Sequence, residues 1–240
     1  MKKILLLTLF IALFVNVSAS DLKSLNKEII EEGNLSKKEY WINLKSWISS
    51  NYARYDRVVD MEDAEAGTLV LKTTTSIPVK SVLLYNNQGD FLLDFSVKID
   101  CRDNKFRITV TDVCESFKVA KGIDYSLYSS ESLTKISSEL ELIVHMSKEY
   151  FDGEAKWHID ENFCKVHDEI AETVNMFKNS LSELDQKNRN QKKEYNATKI
   201  ALSMYERQYD LISDIYDLSN TSVNEFIDNL ISKMNIKDDF

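Results

Sequence analysis

The stretch FLLDFSVKIDCRDNKFRITVTDV, Phe91 to Val113, decides the architecture of the first half of the chain. Two runs of alternating apolar and polar residues flank Asp103-Asn104. With those two residues as the turn, Cys101 faces Phe106, Arg102 faces Lys105, and facing positions sum to 207. Leu93, Phe95, Val97, Ile99 and Cys101 then share a face with Phe106, Ile108, Val110 and Cys114. Asp94, Ser96, Lys98, Asp100, Arg107, Thr109 and Thr111 take the other face. Period-two alternation on both strands, in one register, predicts a half-buried antiparallel hairpin. Asp-Asn suits a two-residue turn because both residues tolerate positive φ.

Working outward, Leu25 to Glu31 reads as either a first strand centred on Ile29-Ile30 or a frayed helix. Ser36-Lys37-Lys38-Glu39 is a capping box, in which the serine and glutamate side chains satisfy exposed amides at a helix start. Tyr40, Leu44, Trp47 and Ile48 follow at helical spacing, with Trp41 on the flank and an end near Asn51-Tyr52; this aromatic stripe reads as core. Arg57 to Met61 and Thr68 to Thr74 are strand-like and are joined by the acidic stretch Glu62 to Gly67. That stretch lacks the ligand spacing of a calcium loop and reads as a solvated hairpin tip. A further apolar segment, Ser76 to Gln88, leads through Asn87-Gln88-Gly89-Asp90 into the central hairpin.

These segments, LSKKEYWINLKSWISSNY, VVDMEDAEAGTLVLK and FLLDFSVKIDCRDNKFRITVTDV, resemble the domain of unknown function 4468 family over residues 25 to 115. The shared features are the Ser-Lys-x-Glu helix start, Trp47, the acidic hairpin ending at Gly67, and Phe106-Arg107 opening the last strand. The resemblance implies a TATA-binding-protein-like α+β fold, in which a helix packs on a curved antiparallel sheet. It also implies an export signal and a Gram-negative source. It supplies no catalytic or binding residues, and the name of the fold does not imply DNA binding.

Beyond the hairpin, residues 116–130 are polar and read as a linker, followed by a helical region over 131–240. Leu133, Ile136, Leu140, Ile143 and Val144 predict a helix within Ser132 to Tyr150, stopped by Asp152-Gly153. Asp160 caps the next, which carries Phe163, Val166, Ile170, Val174, Phe177, Leu181 and Leu184; KNRNQKKE, Lys187 to Glu194, reads as a loop. Tyr195, Thr198, Leu202, Tyr205, Tyr209, Ile212 and Tyr216 form a heptad seam of the coiled-coil kind, a signature of helix-on-helix packing. Ser222-Val223-Asn224-Glu225 predicts a second capping box and a short final helix. The predicted fold is therefore α+β: a helix on a curved antiparallel sheet, then an all-α hairpin or bundle. Its divisions are a signal peptide at 1–19, the α+β unit at 20–115, the linker and the helical region.

The signal reading rests on Lys2-Lys3, the apolar run Ile4 to Val15, and Val17-Ser18-Ala19 before Ser20. It predicts export to the periplasm or cell envelope of a Gram-negative bacterium, or to the exterior, with no integral membrane segment after cleavage. The formal charge of −9 becomes −11 without Lys2 and Lys3, and no compact Lys/Arg cluster offsets it. Nucleic acid is therefore not an expected partner. The register places Cys114 opposite Leu93, about 26 Å from Cys101 and beyond disulfide reach. Cys101, Cys114 and Cys164 read as free, the first two as small apolar fillers.

Chemistry is thinly signalled. Cys164 and His167 share a helical face, with His158 close by and Asp160, Glu161 and Asp168 around them. That set could hold zinc or make a Cys-His nucleophile. No Cys-x-x-Cys, His-Glu-x-x-His, Gly-x-Ser-x-Gly or phosphate-loop pattern accompanies it. A partly buried cysteine flanked by surface histidines is the default reading, so no catalytic, cofactor-binding or metal residue and no cofactor is assigned. The leading expectation is a non-catalytic exported binding protein, with a protein partner or self-association through the helical region. The alternative is a metal-dependent or Cys-dependent hydrolase using His158, Cys164 and His167.

Overall fold

A computed structural model describes residues 22–79, 91–118, 136–142, 149–151, 154–184 and 191–237, with Ser129, Met146 and Asn188 as isolated positions. The signal-like segment, most of the apolar stretch before the hairpin and most of the expected linker lie outside the described residues. In chain order the elements are β1 (Lys27–Glu32), α1 (Lys37–Asn51), α2 (Tyr55–Val58), β2 (Val59–Asp63) and β3 (Thr68–Ile77). They continue with β4 (Phe91–Arg102), β5 (Lys105–Lys118), β6 (Glu149–Phe151), β7 (Glu154–His158), α3 (Glu161–Glu183) and α4 (Lys192–Met234). The strands form one antiparallel sheet in the order β2-β3-β4-β5-β7-β6. β1 pairs with the first half of β5 and β7 with its second half, so β5 is the longest and most shared strand.

The central hairpin has the predicted register from Arg102↔Lys105 back to Ser96↔Thr111. Asn104 takes the left-handed conformation at the turn (φ 63°). The turn is also a fastener. Asp103 Oδ1 accepts from the Lys37 amide at 2.8 Å, the Asn104 amide donates to Leu35, and the Gly33 amide donates to Asn104. The hairpin tip thereby fixes the start of α1, where the Ser36–Glu39 capping box forms as predicted.

Past Thr111 the register departs from expectation. A bulge at Asp112, whose φ is 55°, shifts the pairing to Asp94↔Cys114 and Leu93↔Glu115. Cys114 thus lies opposite Asp94 rather than Leu93, and Glu115 takes the core-facing place that plain alternation assigns to its neighbour. All three cysteines are buried and none forms a disulfide.

Four further expectations beyond the hairpin are corrected. β5 runs through residues 116–118, into the expected linker. The stretch expected to be helical to Tyr150 holds a helix at 136–142, but 149–151 and 154–158 are strands. The second half of β5 would otherwise be an open edge, and β7 closes it with Trp157 buried. α4 begins at Lys192, inside the expected loop, and passes through Ser222 unbroken. Its buried positions Tyr216, Ser219, Val223, Ile227, Leu230 and Met234 recur every three or four residues, so core packing outweighs the local capping signal.

α3 and the first half of α4 form an antiparallel hairpin. Phe177 meets Tyr205, His167 meets Tyr209 and Phe163 meets Tyr216, at ring separations of 5.6, 4.8 and 6.4 Å. Tyr205, Tyr209 and Tyr216 of the heptad seam thus pack on the chain's own α3, the helix-on-helix packing that the seam predicts. The second half of α4 lies beside α1 on the apolar face of the sheet. Asn43 of α1 caps its end by donating to the Met234 and Ile236 carbonyls, and Tyr216 exchanges hydrogen bonds with the Lys23 backbone. One hydrophobic cluster includes Leu44, Trp47, Val97, Ile108, Trp157, Phe163, Ile215 and Leu230.

Candidate functional site

Where α4 crosses α1 and β3, a cleft of about 350 Å³ opens, a size typical of small-ligand sites. Four aromatic rings form its interior. Trp47 sits edge-on to Tyr52 and Phe226 at 5.9 and 5.3 Å, and Phe226 is edge-on to Phe95 at 5.2 Å. Such pairs add about 0.5–1.5 kcal/mol each beyond area burial. Trp47 and Phe95 are buried, while Tyr52 and Phe226 keep part of their rings open to the cleft.

The polar groups of the aromatic wall are pre-positioned. Trp47 Nε1 donates to Asn229 Oδ1 at 2.6 Å, and the Tyr52 hydroxyl bonds Thr73 at 2.9 Å. Burial pushes the Tyr52 phenol upward, so it stays protonated at neutral pH. Thr74 and Ser222 line the rim, and Glu225 is the one charged residue among the described lining. Nothing in the helical spacing marks Phe226 or Glu225 as a wall. Their partner Trp47 lies on α1 in the other half of the chain.

The sequence-flagged cluster does not assemble. His158 lies exposed on β7, paired in register with Cys114 of β5, whereas Cys164 and His167 are buried on α3. No group of three or more His, Cys, Asp or Glu side chains among the described residues is placed to hold a metal ion. Burial, followed by Asp168 and Asp160, pushes the Cys164 thiol upward, opposite to the activation a nucleophilic cysteine needs. His167 Nε2 lies 3.1 Å from Ser213 Oγ and its Nδ1 3.4 Å from Asp168. That outline resembles a Ser-His-Asp triad, but Ser213 sits in mid-helix, where the backbone amides are already bonded and offer no oxyanion hole. The cluster holds α3 against α4.

A second polar group on the core side went unsignalled in the sequence. Glu115 is 0 % exposed; among the described residues only the Ser219 side chain of α4 reaches it, and its Oε2 has no hydrogen-bond partner among them. Burial pushes this carboxyl up to about 8. On the opposite face of the sheet Asp100 is the contrary case. Burial raises it, but hydrogen bonds from Thr68, Arg107 and Lys98 outweigh that and hold it below the usual carboxylate range.

Residues 27–115 match the model of the domain of unknown function DUF4468, with a TBP-like fold. The DUF4468 match ends at Glu115 and does not include the α4 wall of the cleft. Among solved structures, a TBP-like protein from Parabacteroides distasonis is similar at 15% identity, over 47% of this chain and 69% of that one, with a TM-score of 0.32. A DUF4468 family protein from Bacteroides ovatus is similar at 8% identity, over 93% and 95%, with a TM-score of 0.41. No curated protein matches the chain in sequence.

Proposed function

We propose that the protein is a non-catalytic binding protein of the cell envelope. Its cleft takes a cationic organic group, a lysine-type side chain of a partner protein. The observation that carries this reading is the lining itself: two part-open aromatic rings, Tyr52 and Phe226, with Glu225 as the single described charge. Aromatic faces attract cations by about 0.5–1 kcal/mol at exposed sites and more when desolvated. A carboxylate beside them adds to that attraction and disfavours phosphates and carboxylates. The chain's formal charge of −9 acts in the same direction at long range. No described helix is long and apolar enough to cross a membrane. Export is inferred from the leader-like pattern at residues 2–19.

The test uses three otherwise identical peptides centred on lysine, norleucine or glutamate. The readout is the Trp47 indole N–H resonance, which its bond to Asn229 makes a reporter of the cleft. The lysine peptide is expected to move that resonance. Glu225→Gln should weaken its binding roughly fivefold or more, about 1 kcal/mol. Equal binding of the glutamate peptide, or an indole signal that no peptide moves, would refute the reading.

A further inference from the structure

Ser219 Oγ lies within hydrogen-bond reach of two oxygens at once, Glu115 Oε1 and the Ile215 carbonyl, the latter at 2.7 Å. A serine hydroxyl has one proton to give, and a carbonyl has none. Each contact has a full proton of its own when Ser219 donates to Ile215 and Glu115 donates to Ser219. Glu115 must then carry a proton. We infer that Glu115 is a neutral, hydrogen-donating acid that latches α4 to β5, and that loss of its proton releases this part of α4 from the sheet.

The surroundings agree with that assignment. Across the sheet Glu115 is flanked by Leu93 of β4 and Trp157 of β7, and from α4 it meets Ser219. None of these is charged, and no charged side chain among the described residues acts on the group. An ionised carboxylate here would hold a buried, unpaired oxygen at Oε2, which is costly; a neutral acid leaves only a carbonyl-like acceptor there. The Asp112 bulge puts the acid in this place, because without the shift Glu115 would face outward. On ionisation the proton passes to solvent, and Ser219 can serve the carboxylate only by leaving Ile215. Ser222 and Phe226, one and two turns further along α4, line the cleft, so releasing the helix opens that wall too. The latch does not depend on the cleft having a ligand.

The experiment is a carboxyl-carbon NMR titration of the purified chain labelled in glutamate, with the Glu115 signal assigned by its loss in Glu115→Gln. Its midpoint is expected above neutrality. Ser219→Ala decides the direction of the hydrogen bond. Removing an acceptor from the acid form moves the midpoint down, whereas removing a donor to a carboxylate moves it up. In parallel, the wild-type Tm should fall as pH rises from about 4.5, the carboxyl's ordinary value, to about 8 and level off above that, while that of Glu115→Gln stays level over the same window. A Glu115 midpoint in the ordinary carboxylate range, an upward move in Ser219→Ala, or parallel Tm profiles for wild type and Glu115→Gln would each overturn the latch. The Ser219→Ala titration keeps the test open should Glu115→Gln fail to fold.

Discussion

Gly33 has no side chain because Tyr40 occupies the space. A Cβ built there would lie 2.1 Å from the Tyr40 hydroxyl oxygen and 3.4 Å from the ring carbon that bears it. That hydroxyl is itself buried without a hydrogen-bond partner among the described residues. Gly33→Ala should therefore destabilise by about 1–3 kcal/mol, the usual cost of overpacking. Tyr40→Phe should be neutral or stabilising, since it removes an unsatisfied polar atom. The double variant should recover most of the loss, because the clash is with one oxygen; urea unfolding of the three variants checks this. Additive losses would show that Gly33 is needed for something else. Residue-scale features of this kind were the least legible in the sequence. Tyr40 was read correctly as core, but nothing in the pattern says that its oxygen touches Gly33. Nor does alternation suggest that an acid, Glu115, lies inside.

At the scale of elements, legibility followed period and register. The hairpin's alternation was readable because each strand has one buried and one solvated face, so a one-residue slip is heavily penalised. Ile108→Asp, at a fully buried position, should unfold the chain, whereas Thr109→Asp, half-exposed and paired across from Lys98, should change stability by no more than about 0.5 kcal/mol. Equal effects in thermal melts would contradict the register. The bulge was not readable, since Thr111 and Asp112 are polar and fit an outward face either way. Its backbone makes a separate prediction. A β-branched residue at φ 55° is strained, so Asp112→Val should cost roughly 1–2 kcal/mol, while Asp112→Gly should be tolerated. Strands β6 and β7 escaped notice for a related reason. They are short, and β6 follows directly on a helix-like run, so only the need of β5 for a partner explains them.

For the molecule as a whole, the question is whether residues 20–115 and 131–240 behave as separate units. The sequence suggested that they do, because composition changes after the hairpin and the polar stretch 116–130 follows it. The packing argues the other way. Trp47 and Phe95 from the first part and Phe226 from the last meet in one aromatic cluster, and β7 completes the pairing of β5. Trp47 bonds Asn229 across 182 positions of chain, a contact no local pattern could reveal. The cleft at that junction was invisible for the same reason. If one core spans both parts, they should unfold together in urea. Tryptophan fluorescence, which reports on Trp41, Trp47 and Trp157, and far-UV circular dichroism, dominated by α3 and α4, should then trace the same transition with one midpoint. A chain ending at Lys118 should lose that cooperative transition, because it exposes Trp47, Phe95 and the Glu115 carboxyl and leaves the second half of β5 as an open edge. Two separated midpoints in the full chain, or a cooperative melt of the shortened one, would show instead that the sheet-and-helix unit is stable alone and that α4 is an accessory docked on it.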